Sequence, residues 1–236
     1  MIDVAILIVF ILCILAGYYR GTIYAAINIG ITVLSFFLAL LMVPAAAGIV
    51  KKSDTLYKGM LYYFEGYEYI SASSVERVHD IATATPDEEL DYLIENANMP
   101  LPFGKAVWKN IHGLAYAKKG IVTLGDYFNQ TIVDVVINIL SLLLLFIIIR
   151  LAIGWALSAA DFSVGGLPVM KRYDALFSCG IGFLHGVVLL YIIFLIVPVV
   201  LAVVPRIGNY LEESKLGGFF YHMKTLRPFH TPQEFL

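Results

Sequence analysis

The sequence predicts an all-α integral membrane protein with about four transmembrane helices and a partly helical extramembrane insertion between helices two and three. Of its 236 residues, 60% are hydrophobic and only 14% are charged, whereas soluble domains contain about 45–50% apolar and about 25% charged residues. The mean hydropathy is +0.82. Too few polar side chains are present to cover a soluble globule, and four apolar runs are long enough to cross a bilayer.

The first two runs lie close together near the start of the chain. The first, residues 2–19, reads "IDVAILIVFILCILAGYY" and carries one charged side chain, Asp3, at its edge. An acid at this position, with no cleavage pattern after the run, favours a retained span over a secretory signal. The second run, residues 22–43, is followed by Pro44. Proline lacks a backbone donor, so we expect this helix to end there.

The other two runs lie in the second half of the chain. The third, residues 132–149, reads "IVDVVINILSLLLLFIII" and is closed by Arg150. Its helical pattern continues to about residue 160, which predicts an interfacial extension. The fourth run, residues 176–204, is long enough to span with a tilt or with a kink at Pro198.

The spans divide the chain into a transmembrane hairpin (1–50), an extramembrane segment (51–130), a second transmembrane pair (131–205) and a C-terminal tail (206–236). In the extramembrane segment, Thr85 begins a capping box that predicts a helix start, and a weaker helix is expected over 106–119. The clustered tyrosines of this segment suit helices lying at the membrane surface. A packed extramembrane subdomain is equally compatible with the sequence, and both interpretations stay open.

Motifs of enzymes, cofactors and metals are absent from the sequence. There is no nucleophile elbow, phosphate loop or zinc-ligand pattern, so we expect a non-enzymatic protein without a cofactor or metal. The two cysteines, Cys13 and Cys179, lie in apolar runs, as packing residues do. A net charge of -2 and the lack of a basic run give no reason to expect a nucleic acid partner.

A few polar side chains lie within the apolar runs, where their burial is costly and often functional. These candidate residues are Asn28, Asn138, Ser141 and His185. They either line a polar route for an ion or small solute or hydrogen-bond one helix to another, and we prefer the second interpretation. His185 is the best candidate for a further role, because imidazole titrates near neutral pH. Asp134 is expected near the interface, where it would need no buried partner.

Two glycine pairs have the spacing that lets helices approach closely. Gly182 and Gly186 predict a groove for a neighbouring helix. Gly17 and Gly21 flank "GYYRG", which we interpret as the tight turn of a transmembrane hairpin. In this turn the glycines relax the backbone, the tyrosines lie at the interface, and Arg20 stays in water as an orientation anchor. Binding of a lipid phosphate or of a partner by Arg20 is the alternative.

Several short motifs accompany the four spans. They are Asp3 near the start, the "GYYRG" turn, a leucine-rich third span ending in arginine, and the stretch "LPVMKRYDALFSCGIGFLHGVVLLY". Together they resemble the colicin V production (CvpA) family of bacterial membrane proteins, although the resemblance does not extend to residues 51–130. The resemblance implies a four-helix inner or plasma membrane protein linked to toxin production and export and to envelope homeostasis. It supplies no catalytic residues.

Two functional hypotheses follow. The first is a membrane accessory protein that acts through lipids, self-association or other membrane and envelope proteins. The second is a small oligomeric channel or transporter with a polar route through the helix bundle. Four spans put Arg20, Arg150, Lys171 and Arg172 on one side of the membrane and Lys51, Lys52, Lys118, Lys119 and Arg206 on the other. A plain count favours the second side in the cytoplasm. Long loops cross largely regardless of charge, however, so we expect the short loops to decide, which places "GYYRG" inside and both termini outside.

Overall fold

The computed structural model describes residues 2–64, 91–92, 94, 97, 99, 103–159, 173–204 and 207–222. Nearly all of these residues are helical, and no strand occurs among them. Four candidate spans are long and apolar enough to cross a membrane. The chain is therefore an all-α, multi-pass membrane protein, as its composition predicted.

Nine helices lie within the described ranges. They are α1 (Ile2–Arg20), α2 (Thr22–Lys52), α3 (Asp54–Tyr63), α4 (Phe103–His112), α5 (Leu124–Ala159), α6 (Asp174–Phe194), α7 (Val197–Val203), α8 (Ile207–Glu212) and α9 (Lys215–His222). The candidate spans are α1, α2, α5, and α6 together with α7.

Helix α2 continues through Pro44, where the sequence predicted its end, and reaches Lys52. Proline cannot donate to the carbonyl four residues earlier. A helix that stopped in an apolar environment would leave still more backbone groups without partners, so spans tolerate a proline. The expected helix end at Pro44 was therefore wrong.

Helix α5 begins at Leu124, well before the apolar run at residues 132–149, and its predicted extension beyond Arg150 is confirmed. The early start is explained by Thr123. Its hydroxyl accepts a hydrogen bond from the Asp126 N–H at 3.2 Å and donates to the Asp126 carboxylate at 2.7 Å. This cap satisfies donors of the polar first turn, which hydropathy does not reveal.

The fourth span is interrupted between α6 and α7 at Leu195 and Ile196. Both residues donate to carbonyls three residues earlier, at 3.2 and 3.1 Å, in the tighter 3₁₀ pattern. Pro198 follows at once, and it has no N–H to donate to the Phe194 carbonyl. The interruption agrees with the kink predicted at this proline.

The described helices belong to two compact units, whose boundaries fall after Met42 in α2 and after Ser141 in α5. The first unit contains α1, the start of α2, the end of α5, α6, α8 and α9. The second unit contains the end of α2, α3, α4, the start of α5 and nearly all of α7.

In the first unit, Asp3 of α1 hydrogen-bonds to the start of α9. The Asp3 carboxylate accepts hydrogen bonds from the Ser214 hydroxyl at 2.8 Å and the Leu216 N–H at 2.9 Å. The Ser214 hydroxyl in turn accepts from the Gly217 N–H at 2.9 Å. Asp3 therefore caps the N-terminus of α9, where a negative charge is favourable.

In the second unit, α4 packs its apolar face on the first turns of α5. The cluster contains Ala97, Val107, Ile111, Tyr116, Leu124, Tyr127 and Phe128. These contacts support a packed subdomain for this part of the 51–130 segment. The helix expected over 106–119 forms only as α4, followed by turns and a 3₁₀ helix at Ala117–Lys119. No residue of α3 is fully buried. Its placement at the membrane surface stays a prediction.

Some predicted features lie outside the described residues. They include the helix start at Thr85 and the connection between the third and fourth spans that carries Lys171 and Arg172.

Candidate functional site

The "GYYRG" turn links α1 to α2 through a single residue, Gly21. Gly21 has a φ of +81°, a left-handed conformation that glycine adopts without strain. The Thr22 N–H donates to the Asp174 carboxylate at 3.1 Å, and the Thr22 hydroxyl donates to the Asp174 carbonyl at 3.0 Å. The turn predicted at Gly21 is confirmed, and Asp174 joins the start of α2 to the start of α6.

Helices α1 and α6 approach closely along what we call the glycine seam, formed by Gly17, Gly182 and Gly186. A Cβ atom added to Gly182 would lie 2.6 Å from the Cys13 carbonyl oxygen, and one added to Gly186 would lie 2.9 Å from the Phe10 ring. A Cβ on Gly17 would collide with the Ser178 carbonyl oxygen. The predicted groove is confirmed. Gly17 lies within α1 and serves this packing, so relaxation of the turn falls to Gly21.

A small cavity lies beside the glycine seam, and we call it the seam cavity. Residues of α1, α2 and α6 line it, and their polar members are Arg20, Tyr24, Asn28 and His185. None of the lining residues is acidic. Arg20 itself is exposed, and its position in water stays a prediction. The cavity therefore combines one cation with several neutral polar groups.

His185, one of the predicted intramembrane polar residues, contacts Thr32 of α2, whose hydroxyl also bonds the backbone of Asn28 one turn earlier in the same helix. The Thr32 hydroxyl donates to the Asn28 carbonyl at 2.9 Å and lies 3.1 Å from His185 Nε2. A hydroxyl has one hydrogen to donate. When Asn28 receives it, His185 Nε2–H must be the donor to Thr32, which leaves Nδ1 unprotonated in the neutral ring.

Arg150 completes this group by donating a hydrogen bond to the Asn28 side-chain oxygen. We call Arg150, Asn28, Thr32 and His185 the Arg150 cluster. Within the described ranges, the ion pairs are Lys51 with Asp134 and Lys58 with Asp54, so no described carboxylate pairs with Arg150. A half-buried guanidinium with only a neutral partner keeps its positive charge uncompensated.

The second unit holds a different polar group, centred on Asp134, whose exposed fraction is 3%. The Tyr116 hydroxyl donates to its carboxylate at 2.8 Å, and the Tyr57 hydroxyl lies 3.2 Å from it. The Lys51 ammonium is 3.6 Å away. The expectation that Asp134 needs no buried partner was wrong, because α3, α4 and the turns after α4 cover this part of α5. We call Asp134, Lys51, Tyr57 and Tyr116 the Asp134 network.

The two tyrosines of the Asp134 network act as donors that stay protonated. Burial, and then the negative charge of Asp134, raise the pKa of Tyr57 and of Tyr116 far above the usual tyrosine range. The Lys119 ammonium lies 5.2 Å from the Tyr57 ring centroid and 5.4 Å from that of Tyr116, where it is attracted to both rings.

Further neutral groups surround this network. The Tyr57 hydroxyl is also within hydrogen-bond distance of the Gln130 side-chain oxygen, so Gln130 and Asp134 share its one hydrogen. The Asn110 side-chain nitrogen donates to the Tyr116 hydroxyl at 3.2 Å and to the Thr131 hydroxyl at 3.0 Å. Hydrogen bonds from α3 and α4 therefore converge on one turn of α5, which fixes the described part of the insertion to a transmembrane helix.

Asn138 and Ser141 lie in the second unit, whereas Asn28 and His185 lie in the first. Both Asn138 and Ser141 are buried, and the Asn138 side-chain nitrogen has no hydrogen-bond partner among the described residues. The structure therefore brings together two of the four predicted residues.

The sequence pattern did not predict that Arg150 and Asp134 each centre a group of hydrogen-bonded side chains. Arg150 was interpreted only as the end of a span, and Asp134 only as an interfacial acid. The available signal was their location inside a continuous helical pattern, since an ionisable residue within a span usually has an interior partner.

Comparison of the chain with models of protein families, with curated proteins and with solved structures finds no match. Function must be inferred from the two polar groups and the glycine seam. Within the described ranges, no three His, Cys, Asp or Glu side chains lie close enough to hold a metal ion.

Proposed function

We propose that this chain is a non-enzymatic protein of the bacterial inner membrane that supports export of a colicin V type toxin or envelope homeostasis, as the CvpA family does. It acts by binding other membrane components rather than by catalysis. The observation that carries this proposal is that polar side chains within the spans hydrogen-bond to other spans. The Thr32 hydroxyl on α2 hydrogen-bonds His185 on α6, and Arg150 on α5 donates to the Asn28 side chain on α2, which is the pattern of a framework held by interhelical hydrogen bonds.

Close packing at the glycine seam supports the same role. Side chains at Gly17 or Gly182 would clash with backbone of the facing helix, so α1 and α6 form a fixed pair. Large apolar side chains remain exposed elsewhere, for example Trp155 at 78% and Leu151 at 67%. In a membrane these surfaces face lipid or a protein partner.

Crosslinking in cells tests this proposal. A photoreactive residue placed at Tyr63, which is 76% exposed on α3, should give discrete higher-mass adducts of the full-length tagged chain. The same residue placed at the buried Ala39 is the control and should give none. A chain that forms no adduct from Tyr63 or from Trp155, and that purifies without companions, would contradict an accessory role.

A small oligomeric channel or transporter is the second candidate, and the seam cavity favours it. The cavity is lined by Arg20, Asn28 and His185, so an ion or small polar solute has polar partners there. Vesicles containing the purified chain should then show a solute flux that disappears in His185→Ala. A flux equal to that of empty vesicles would exclude this candidate and leave the accessory role intact.

We further propose that the "GYYRG" turn faces the cytoplasm and that both termini lie outside, since Arg20 belongs to a short loop. A reporter active only in the periplasm, fused to the C-terminus, should be active. An inactive periplasmic reporter together with an active cytoplasmic one would reverse this orientation.

A further inference from the structure

Arg150 lies in a span with its charge uncompensated by any described carboxylate. Its one hydrogen-bond partner among these residues is the neutral Asn28 side chain. Removing a guanidinium from water costs several kcal/mol unless an anion or a polar shell replaces the water. Intramembrane cations therefore usually mark a binding site or a pathway.

The adjoining seam cavity supplies donors and no competing acid. Arg20, whose side chain carries a second guanidinium, and Tyr24, whose side chain carries a hydroxyl, are among its lining residues. Because the Asn28 oxygen accepts from Arg150, its side-chain nitrogen is left as a further donor, and that nitrogen has no partner among the described residues. Such a set of donors complements an oxyanion.

Asp174, the acid that contacts the turn, does not act as a counter-charge for the two arginines. The Asp174 carboxylate accepts the Thr22 N–H at 3.1 Å, so it caps the start of α2. It is not among the residues that line the seam cavity. The cations beside the cavity thus remain available to an external anion.

Arg20 and Asn28 lie near the ends of α1 and α2 that meet at the turn. Asn28 follows the first residue of α2, Thr22, by six positions, a rise of about 9 Å. The polar headgroup zone on each side of the hydrocarbon is about 5–8 Å thick. Arg20 ends α1 beside the same turn. Counted from the start of α2, Asn28 therefore lies just below a zone of this thickness, and Arg20 lies within it.

We propose that the seam cavity, together with Arg150, binds a phosphate group, supplied by an anionic lipid headgroup or by free phosphate. Arginine suits this ligand because its planar fork pairs with two phosphate oxygens at once. The Asn28–Arg150 hydrogen bond fixes one guanidinium, while Arg20 approaches from the exposed end of α1. This assignment is independent of the accessory role, since it depends only on the charges and donors of the first unit.

Native mass spectrometry of the full chain in an uncharged detergent tests the proposal. The chain should retain phosphatidylglycerol in preference to zwitterionic phosphatidylcholine. Arg20→Gln and Arg150→Gln should each weaken this binding about tenfold, since each removes hydrogen bonds to a charged group. Lys58→Gln is the matched control. It removes one positive charge from an exposed pair with Asp54 and should leave lipid binding unchanged.

Titration with inorganic phosphate, followed by ³¹P NMR, distinguishes the two sources. Retention of phosphatidylglycerol that phosphate does not displace assigns the site to a lipid headgroup. Phosphate binding that is lost in Arg20→Gln, without preference for the anionic lipid, assigns it to free phosphate.

Equal retention of both lipids with no phosphate binding would overturn the proposal. So would unchanged binding in Arg20→Gln, because Arg20 is exposed and its substitution does not disturb packing. If Arg150→Gln fails to fold, Arg150→Lys is tested in its place. Lysine keeps the positive charge but lacks the planar guanidinium that pairs with two phosphate oxygens. Arg150→Lys should bind less tightly than the unaltered chain, and equal affinity would count against a role for Arg150.

Discussion

Arg150 in the first unit and Asp134 in the second are both charged side chains within long apolar helices, but their charges are satisfied differently. Asp134 has the Lys51 ammonium at 3.6 Å and receives a hydrogen bond from Tyr116 at 2.8 Å. Arg150 has only the neutral Asn28 side chain among the described residues. The Asp134 network thus contains its own counter-charge, whereas the Arg150 cluster needs one from outside.

The difference separates a structural charge from a binding charge. A charge that its own fold neutralises stabilises the fold, and removing it leaves the opposite charge buried. A charge without a built-in partner contributes little stability by itself and gains most when a ligand of opposite sign arrives. The effects of substitution should therefore be large at Asp134 and small at Arg150.

The largest effect is expected for Asp134→Asn. The substitution keeps the shape but leaves Lys51 without its counter-charge, so the free energy of unfolding should fall by about 3 kcal/mol. Denaturant unfolding in mixed micelles measures this free energy. Asp54→Asn breaks the exposed pair with Lys58 and is the control, with no measurable change expected. Equal effects of both substitutions would mean that Asp134 is not a structural charge.

Gly182→Ala should have the next largest effect, in the first unit. Its Cβ would lie 2.6 Å from the Cys13 carbonyl oxygen, and overpacking of this kind costs about 2 kcal/mol. Gly180→Ala, on the same helix, meets nothing within 4 Å and should be neutral or slightly stabilising, because alanine favours helix. Equal stability of the two variants would show that the glycine seam does not limit the approach of α1 to α6.

Tyr116→Phe should cost about 1.5 kcal/mol, the usual contribution of a hydrogen bond to a charged acceptor. The same unfolding measurement applies, and Tyr62→Phe, on the exposed surface of α3, is the matched control. A Tyr116→Phe variant as stable as Tyr62→Phe would imply that Asp134 depends on Lys51 alone.

The tyrosines also predict a pH dependence. Burial and the Asp134 charge raise the pKa of Tyr116 in the folded chain, whereas the unfolded chain ionises near pH 10, roughly the usual tyrosine value. The stability that comes from a protonated Tyr116 is therefore complete below about pH 10 and is lost as the pH rises further. Unfolding between pH 8 and 11 should show a decline that is smaller in Tyr116→Phe. An equal decline in both chains would contradict the raised pKa of Tyr116.

How far the sequence predicts these features depends on the range of the interaction involved. Hydropathy and length are local, so the spans and the Gly182 groove could be predicted. The partners of the charges could not, because Arg150 meets Asn28 across 122 positions and Asp134 meets Tyr57 across 77. The start of α5 was missed for another reason, since the cap at Thr123 is polar and hydropathy ignores it.

The smallest effect on stability is expected for Arg150→Gln without added lipid. The change removes one hydrogen bond to Asn28 but also removes the desolvation cost of a half-buried guanidinium, so the net loss should stay within about 1 kcal/mol. Unfolding in uncharged detergent measures this loss. A loss as large as that of Asp134→Asn would mean that Arg150 has a carboxylate partner within the chain.

One crossed measurement tests the comparison most directly: the free energy of unfolding of the unaltered chain, Arg150→Gln and Asp134→Asn, each with and without phosphatidylglycerol. A ligand at one hundred times its dissociation constant adds about 2.7 kcal/mol. We predict that the lipid stabilises the unaltered chain and Asp134→Asn to a similar extent and stabilises Arg150→Gln, which binds it about tenfold more weakly, only about half as much. Equal stabilisation of all three chains would contradict an open charge at Arg150.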